Sequence, residues 1–74
     1  MKVHVKLYAS LKRFAENDTF TLDIEPMNVK SLIDYIGIPE MDVGIVLIND
    51  KNADYSDLLN ENDSVQMFTE LKGG

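Results

Sequence analysis

The chain closes on Phe68-Thr69-Glu70-Leu71-Lys72-Gly73-Gly74, and the two final glycines follow a strand-like segment that should already have ended. A terminal carboxylate offered to an enzyme has to be threaded into its active site. Gly73 and Gly74 carry no side chain to obstruct such a channel and accept any backbone angle. Activated as an acyl adenylate, the Gly74 carboxylate becomes a carbonyl open to attack by sulfide, a persulfide or an amine, so the chain end can act as a group carrier. The other reading of the same residues is a frayed terminus or a cloning remnant.

Nothing else in the sequence offers comparable chemistry. There is no cysteine, which removes a thiol nucleophile, a thiolate redox pair and any Cys-ligated zinc or iron–sulfur centre. His4, the single histidine, falls between Lys2 and Lys6 on the outward face of a predicted strand. Without a second histidine or a cysteine it reads as a surface or interface residue, and no metal site is expected. Asp50, Asp54, Asp57, Glu61 and Asp63 crowd predicted turns without the spacing or glycine of an EF-hand loop, and read as a solvated acidic rim. Met1, Met27, Met41 and Met67 form no helical stripe and read as gap fillers.

Composition limits the scaffold. With 74 residues, 45% hydrophobic and 27% charged, the chain reads as one globular domain over residues 1–74, with 70–74 as an extended tail. A domain of this size buries only about 60% of its unfolded surface. Lacking disulfides, it must rest on packing. Seven basic against thirteen acidic residues give a formal charge of −6, the wrong sign for nucleic acid or an anionic membrane. A basic protein surface is the better partner, since complementary charge speeds encounter. No apolar run approaches the roughly 20 residues of a membrane span, and the alternating N-terminus lacks the apolar core of a signal peptide. The expected location is the cytoplasm.

Lys2–Tyr8 alternates Val3, Val5 and Leu7 with polar residues, the period of a half-buried strand, and Thr19–Glu25 repeats the pattern with Phe20, Leu22 and Ile24. The two should pair antiparallel. Between them Ser10 is positioned to cap a short helix over 10–15 that tucks Leu11 and Phe14 under the sheet. Asn28 is a good helix N-cap; Val29, Leu32, Ile33 and Ile36 follow at helical spacing, and Gly37 with Pro39 supplies the stop. Residues 40–44 read as a connector and Ile45–Ile48 as a strand. A turn follows at 49–52, then a short edge strand at Ala53–Tyr55, one helical turn at Ser56–Leu59 and another turn at 60–63. Ser64–Thr69 is the last strand, with Val65 and Met67 on one face and Gln66 and Phe68 on the other. An outward aromatic beside the tail suggests a partner surface; the competing reading is cover by the Leu11–Phe14 segment.

A mixed sheet of about five strands packed on one main helix buries this pattern, an α+β architecture of the β-grasp, or ubiquitin-like, type. The sequence then resembles the MoaD/ThiS family of sulfur carriers, more closely its MoaD branch, the small subunit of molybdopterin synthase. The matching residues are Val5-Lys6-Leu7-Tyr8-Ala9-Ser10-Leu11-Lys12, Gly37-Ile38-Pro39 through Val43–Asn49, the acidic turn around Asn62-Asp63, and Gly73-Gly74.

The resemblance implies that a ubiquitin-activating-like adenylating enzyme uses ATP and magnesium to activate Gly74, and that a sulfur donor protein converts the adenylate to a thiocarboxylate. It further implies that the tail inserts into a larger catalytic subunit, in a heterotetramer, and gives its sulfur to a pterin precursor. On this reading the chain is no enzyme alone and binds no cofactor permanently. Gly74 is the carrier, Gly73 its slender neighbour, and Leu71 and Lys72 with Phe68 contact the partner. The chain departs from the MoaD pattern in carrying Thr69-Glu70-Leu71-Lys72 where a proline pair and a small apolar residue usually stand. The turn at 49–52 also lacks the usual glycine, so Asn49 or Asn52 should take the left-handed conformation. The Leu-x-Gly-Gly ending is similar to that of ubiquitin and archaeal modifiers. Alternatives are therefore a protein modifier, a carrier for thiamine or tRNA thiolation, and a non-covalent β-grasp interaction module.

Overall fold

Alternation in the first segment becomes strand β1, Lys2–Leu7, whose even residues are exposed while Val3, Val5 and Leu7 are buried. The structure, a computed structural model, describes residues 1–70, so the tail residues Leu71, Lys72, Gly73 and Gly74 lie outside the described residues. β2, Thr19–Asp23, pairs antiparallel with β1, placing Leu22 opposite Val3 and Phe20 opposite Val5. β5, Asp63–Thr69, runs parallel to β1 on its other side. β3, Val43–Ile48, and the two-residue β4, Lys51–Asn52, complete a mixed five-stranded sheet in the order β2-β1-β5-β3-β4. Helix α1, Val29–Ile36, buries Val29, Leu32 and Ile33. They join Val3, Val5, Leu7, Val46, Val65 and Met67 in one core. This is the β-grasp arrangement expected from the pattern.

α1 is delimited as its sequence predicts. The Asn28 side chain accepts from the Ser31 amide at 2.9 Å, and Gly37 stops the helix at φ 92°, in the left-handed region. Two further amides of the first turn would be orphans by the geometry of a helix end. Val29 and Lys30 donate instead to the carbonyls of Asp57 (3.0 Å) and Tyr55 (2.9 Å). That service explains one correction. The helical turn expected at Ser56–Leu59 is absent, and Leu58 bridges Asn28 in an extended antiparallel contact.

Three other expectations are corrected. Ser10 caps nothing: the 3-10 helix over Ala9–Phe14 has Tyr8 at its N-cap and no side-chain cap, although Leu11 is buried as expected. A 3-10 turn over Glu40–Asp42 occupies part of the expected connector. The edge strand comes at Lys51–Asn52, not at Ala53–Tyr55. Asn49 and Asp50 both have positive φ, 51° and 70°, and Ile48 pairs with Lys51. This two-residue hairpin turn has the signature of type I′ and lets the strand resume at once. Asn49 is therefore left-handed as anticipated, whereas Asn52 is not. No helix of the described residues is long and apolar enough to cross a membrane.

Candidate functional site

β5 is the strand that leads to the tail, and its position between β1 and β3 determines what surrounds the tail's root. Parity sends Val65 and Met67 into the core and Phe68 to the opposite face. There Phe68 stacks on Tyr8, with ring centroids 4.3 Å apart and planes inclined by 13°. The cover seen for Phe68 comes from Tyr8, just after β1 and outside the Leu11–Phe14 segment named in the competing reading. Across the ladder Phe68 faces Ile45, which is 51% exposed, and the Lys6 ammonium lies 5.1 Å from the Tyr8 ring centroid. Tyr8, Ile45 and Phe68 line a cleft of about 410 Å³, together with Gly44, Thr69 and Glu70.

The root of the tail is held by the segment before β3. Thr69 pairs with Val43 and Phe68 with Ile45, so Gly44 is an extra residue in the ladder, a β-bulge. The bulge turns Val43 (5% exposed) and Val46 (3%) both inward while Ile45 faces out. The Glu70 amide lies 3.4 Å from the Asp42 carbonyl, and Arg13 bridges the Asp42 carboxylate at 3.4 Å. On the other flank the Tyr55 hydroxyl donates toward the carbonyls of Val43 (3.2 Å) and Glu40 (3.4 Å). Burial first, then the negative charges of Glu40 and Glu70, push the Tyr55 phenol above its ordinary pKa.

Of the residues singled out in the sequence, Phe68 sits on the expected face, two residues before Glu70. Gly74, Gly73, Lys72 and Leu71 lie outside the described residues. His4 is exposed, with Nδ1 2.9 Å from Thr21 Oγ1, and among the described residues no group of His, Cys, Asp or Glu could hold a metal. The acidic rim needs correction at Asp63, which is only 7% exposed. Its carboxylate accepts from Asn49 Nδ2 at 2.9 Å and from the Asn60 amide at 2.8 Å, tying the two turns together. Met67 fills the core, but Met41 is 75% exposed and fills no gap. Sequence reasoning missed Tyr8, Ile45 and Gly44. Tyr8 continues the outward parity of Lys2, His4 and Lys6, and Gly44 interrupts a β-branched run. Both signals were there to be read.

Comparison with solved structures places this fold among known ones. A chain from Pyrococcus furiosus described as molybdopterin converting factor, subunit 1, matches with TM-score 0.78 and 23% identity over 96% of this chain and 99% of that one. Small archaeal modifier protein 1 of Haloferax volcanii matches with TM-score 0.76 and 19% identity over 95% and 98%. A chain from a complex of subunits 1 and 2 of the molybdopterin-converting factor of Helicobacter pylori 26695 gives a third match, with TM-score 0.67 and 19% identity over the full length of this chain and of that one. At these identities the likeness establishes the fold, and it is the fold of the proteins that the sequence resembles. Among curated proteins no relative is found. A family model described as a domain of unknown function, DUF6839, matches residues 7–68, most of the chain, and the protein belongs to that family.

Proposed function

We propose that the chain is a ubiquitin-like sulfur carrier whose cargo rides on the carboxylate of Gly74. The observation that carries this reading is the junction of two features: a Gly-Gly ending, and a β5 strand that brings Glu70 to the rim of an apolar cleft built by Tyr8, Ile45 and Phe68. Four residues beyond Glu70 reach at most about 14 Å when extended. That is enough for the last atom to enter another protein's active site while the cleft face docks outside it.

In the proposed cycle a Gly74 carboxylate oxygen attacks the α-phosphorus of ATP on a partner adenylating enzyme, and pyrophosphate leaves. Hydrosulfide delivered by a donor protein then attacks the acyl carbon, and AMP departs to leave a thiocarboxylate. In this reading the acid, base and magnesium of both steps belong to the partner enzyme, and the chain is a non-catalytic carrier. The cycle draws on ATP, in keeping with the cytoplasmic location expected from the sequence. Tyr8, Ile45 and Phe68, with Leu71 and Lys72, form the partner contact. A larger catalytic subunit in molybdopterin synthesis is the favoured recipient, in keeping with a structural neighbour that is solved as a complex of subunits 1 and 2. The Leu71-Lys72-Gly73-Gly74 ending and the likeness to a small archaeal modifier favour, as a second reading, attack on the same adenylate by a lysine amine of a target protein.

Intact mass after incubation with an adenylating enzyme from the same genome, ATP, magnesium and a sulfide source decides between them. Exchange of one oxygen for one sulfur at Gly74 is the expected result. Isopeptide linkage to lysines would establish the modifier. A chain left unmodified by every adenylating enzyme of that genome would refute both.

A further inference from the structure

We infer that Gly44 is a positioning residue for the tail: its lack of a side chain allows β3 to hold Glu70 at one place, so that residues 71–74 start from a fixed point. This deepens the carrier reading and rests on it. A Cβ built on Gly44 would lie 2.5 Å from Glu70 Cα, 2.8 Å from Glu70 N and 2.9 Å from the Thr69 carbonyl oxygen. All three are backbone atoms. No side-chain rotation can relieve the overlap, so any larger residue at 44 must displace the root of the tail or the bulge itself.

Everything around Gly44 is fastened. Val43 is buried and its carbonyl accepts from Tyr55. On the preceding turn Asp42 meets both Arg13 and the Glu70 amide. β-Bulges re-aim the chain where they occur, and here the strand being re-aimed leads to the residue proposed to react. A shift of Glu70 moves the point from which the proposed carrier residues reach, and a displacement of about 1 Å at a reacting group can lower a rate about a hundredfold. The same bulge turns Ile45 toward the docking cleft, which Gly44 also lines, so the inference is read in kcat, at saturating chain.

The test separates positioning from stability. Gly44→Ala is assayed with the adenylating enzyme, ATP and magnesium, following pyrophosphate release as a function of chain concentration, beside its thermal unfolding and beside Val3→Ala, a core truncation away from the bulge. The expected outcome is a kcat lowered about ten- to a hundredfold in Gly44→Ala and within about threefold of wild type in Val3→Ala, both folded at the assay temperature. A folded Gly44→Ala chain with wild-type kcat overturns the inference. So does an equal fall in kcat in Val3→Ala, since that is what a merely structural loss would give. Should Gly44→Ala not fold, Tyr55→Phe releases the Val43 carbonyl, in the peptide that joins Val43 to Gly44, while leaving Gly44 in place. It should lower kcat beyond the Val3→Ala value; unchanged kcat would overturn the inference. Failure of the wild-type chain to be adenylated defeats the carrier reading itself, a result distinct from all of these.

Discussion

Phe68→Ala is the sharpest test of the surface beside the tail. Truncating a fully buried phenylalanine costs about 3–5 kcal/mol, and Phe68 is only partly buried. Its ring is nonetheless stacked at 4.3 Å on Tyr8, a geometry worth about 0.5–1.5 kcal/mol beyond the area it buries. We expect a loss of about 2–3 kcal/mol, which for a domain of this size lowers Tm by roughly 10–20 °C. Urea and thermal unfolding followed by far-ultraviolet circular dichroism measure it. Combined with Tyr8→Ala in a double-mutant cycle, the pair should show a coupling of about 1 kcal/mol. A loss below about 0.5 kcal/mol, in the range of an ordinary surface substitution, would refute the reasoning, as would two losses that simply add. Partner affinity is the second readout. If Phe68→Ala costs the full stability yet binds the adenylating enzyme as tightly as wild type, Phe68 is part of the fold and not of the interface.

The raised pKa of Tyr55 makes a pH prediction. The neutral phenol is favoured in the folded chain, so this group's contribution to stability is intact below the unfolded value near 10 and is lost as the pH rises through the raised folded value. The difference in urea stability between wild type and Tyr55→Phe should therefore be constant from pH 7 to 9 and shift against the wild type above pH 10; a difference that stays level to pH 12 would contradict it. Asp63→Ala leaves the Asn60 amide and the Asn49 side chain without their acceptor, at a cost of about 1–3 kcal/mol. A loss under about 0.5 kcal/mol in chemical denaturation would return Asp63 to the solvated rim.

How much of this was legible depended on whether the signal is local. Val3, Val5 and Leu7 alternate because one face of β1 is buried, and Asn28 and Gly37 mark the ends of α1 because helix ends need a side-chain acceptor and a left-handed stop. β4 was misplaced because a type I′ turn needs only positive φ at two residues. Asn49 and Asp50 provide it without the glycine that advertises such turns. The Ser56–Leu59 segment has a helical look, yet its neighbourhood needed extended carbonyls for the first turn of α1. Asp63 resembled four other carboxylates in sequence and differs from them in its burial and in the Asn49 and Asn60 donors that the fold brings to it.

By itself the sequence determined the period of each main strand, the limits of the helix, the absence of cysteine and the Gly73-Gly74 ending on which the proposed carrier role rests. These are properties of neighbours along the chain, where side-chain alternation, caps and φ preferences act over a few residues. Only the tertiary structure decided that β5 lies between β1 and β3, that Tyr8 covers Phe68, and that Gly44 touches the backbone of Glu70. Such contacts join residues far apart in sequence, and the physical constraint behind each, ring on ring or backbone on backbone, exists only once the sheet has brought the partners together.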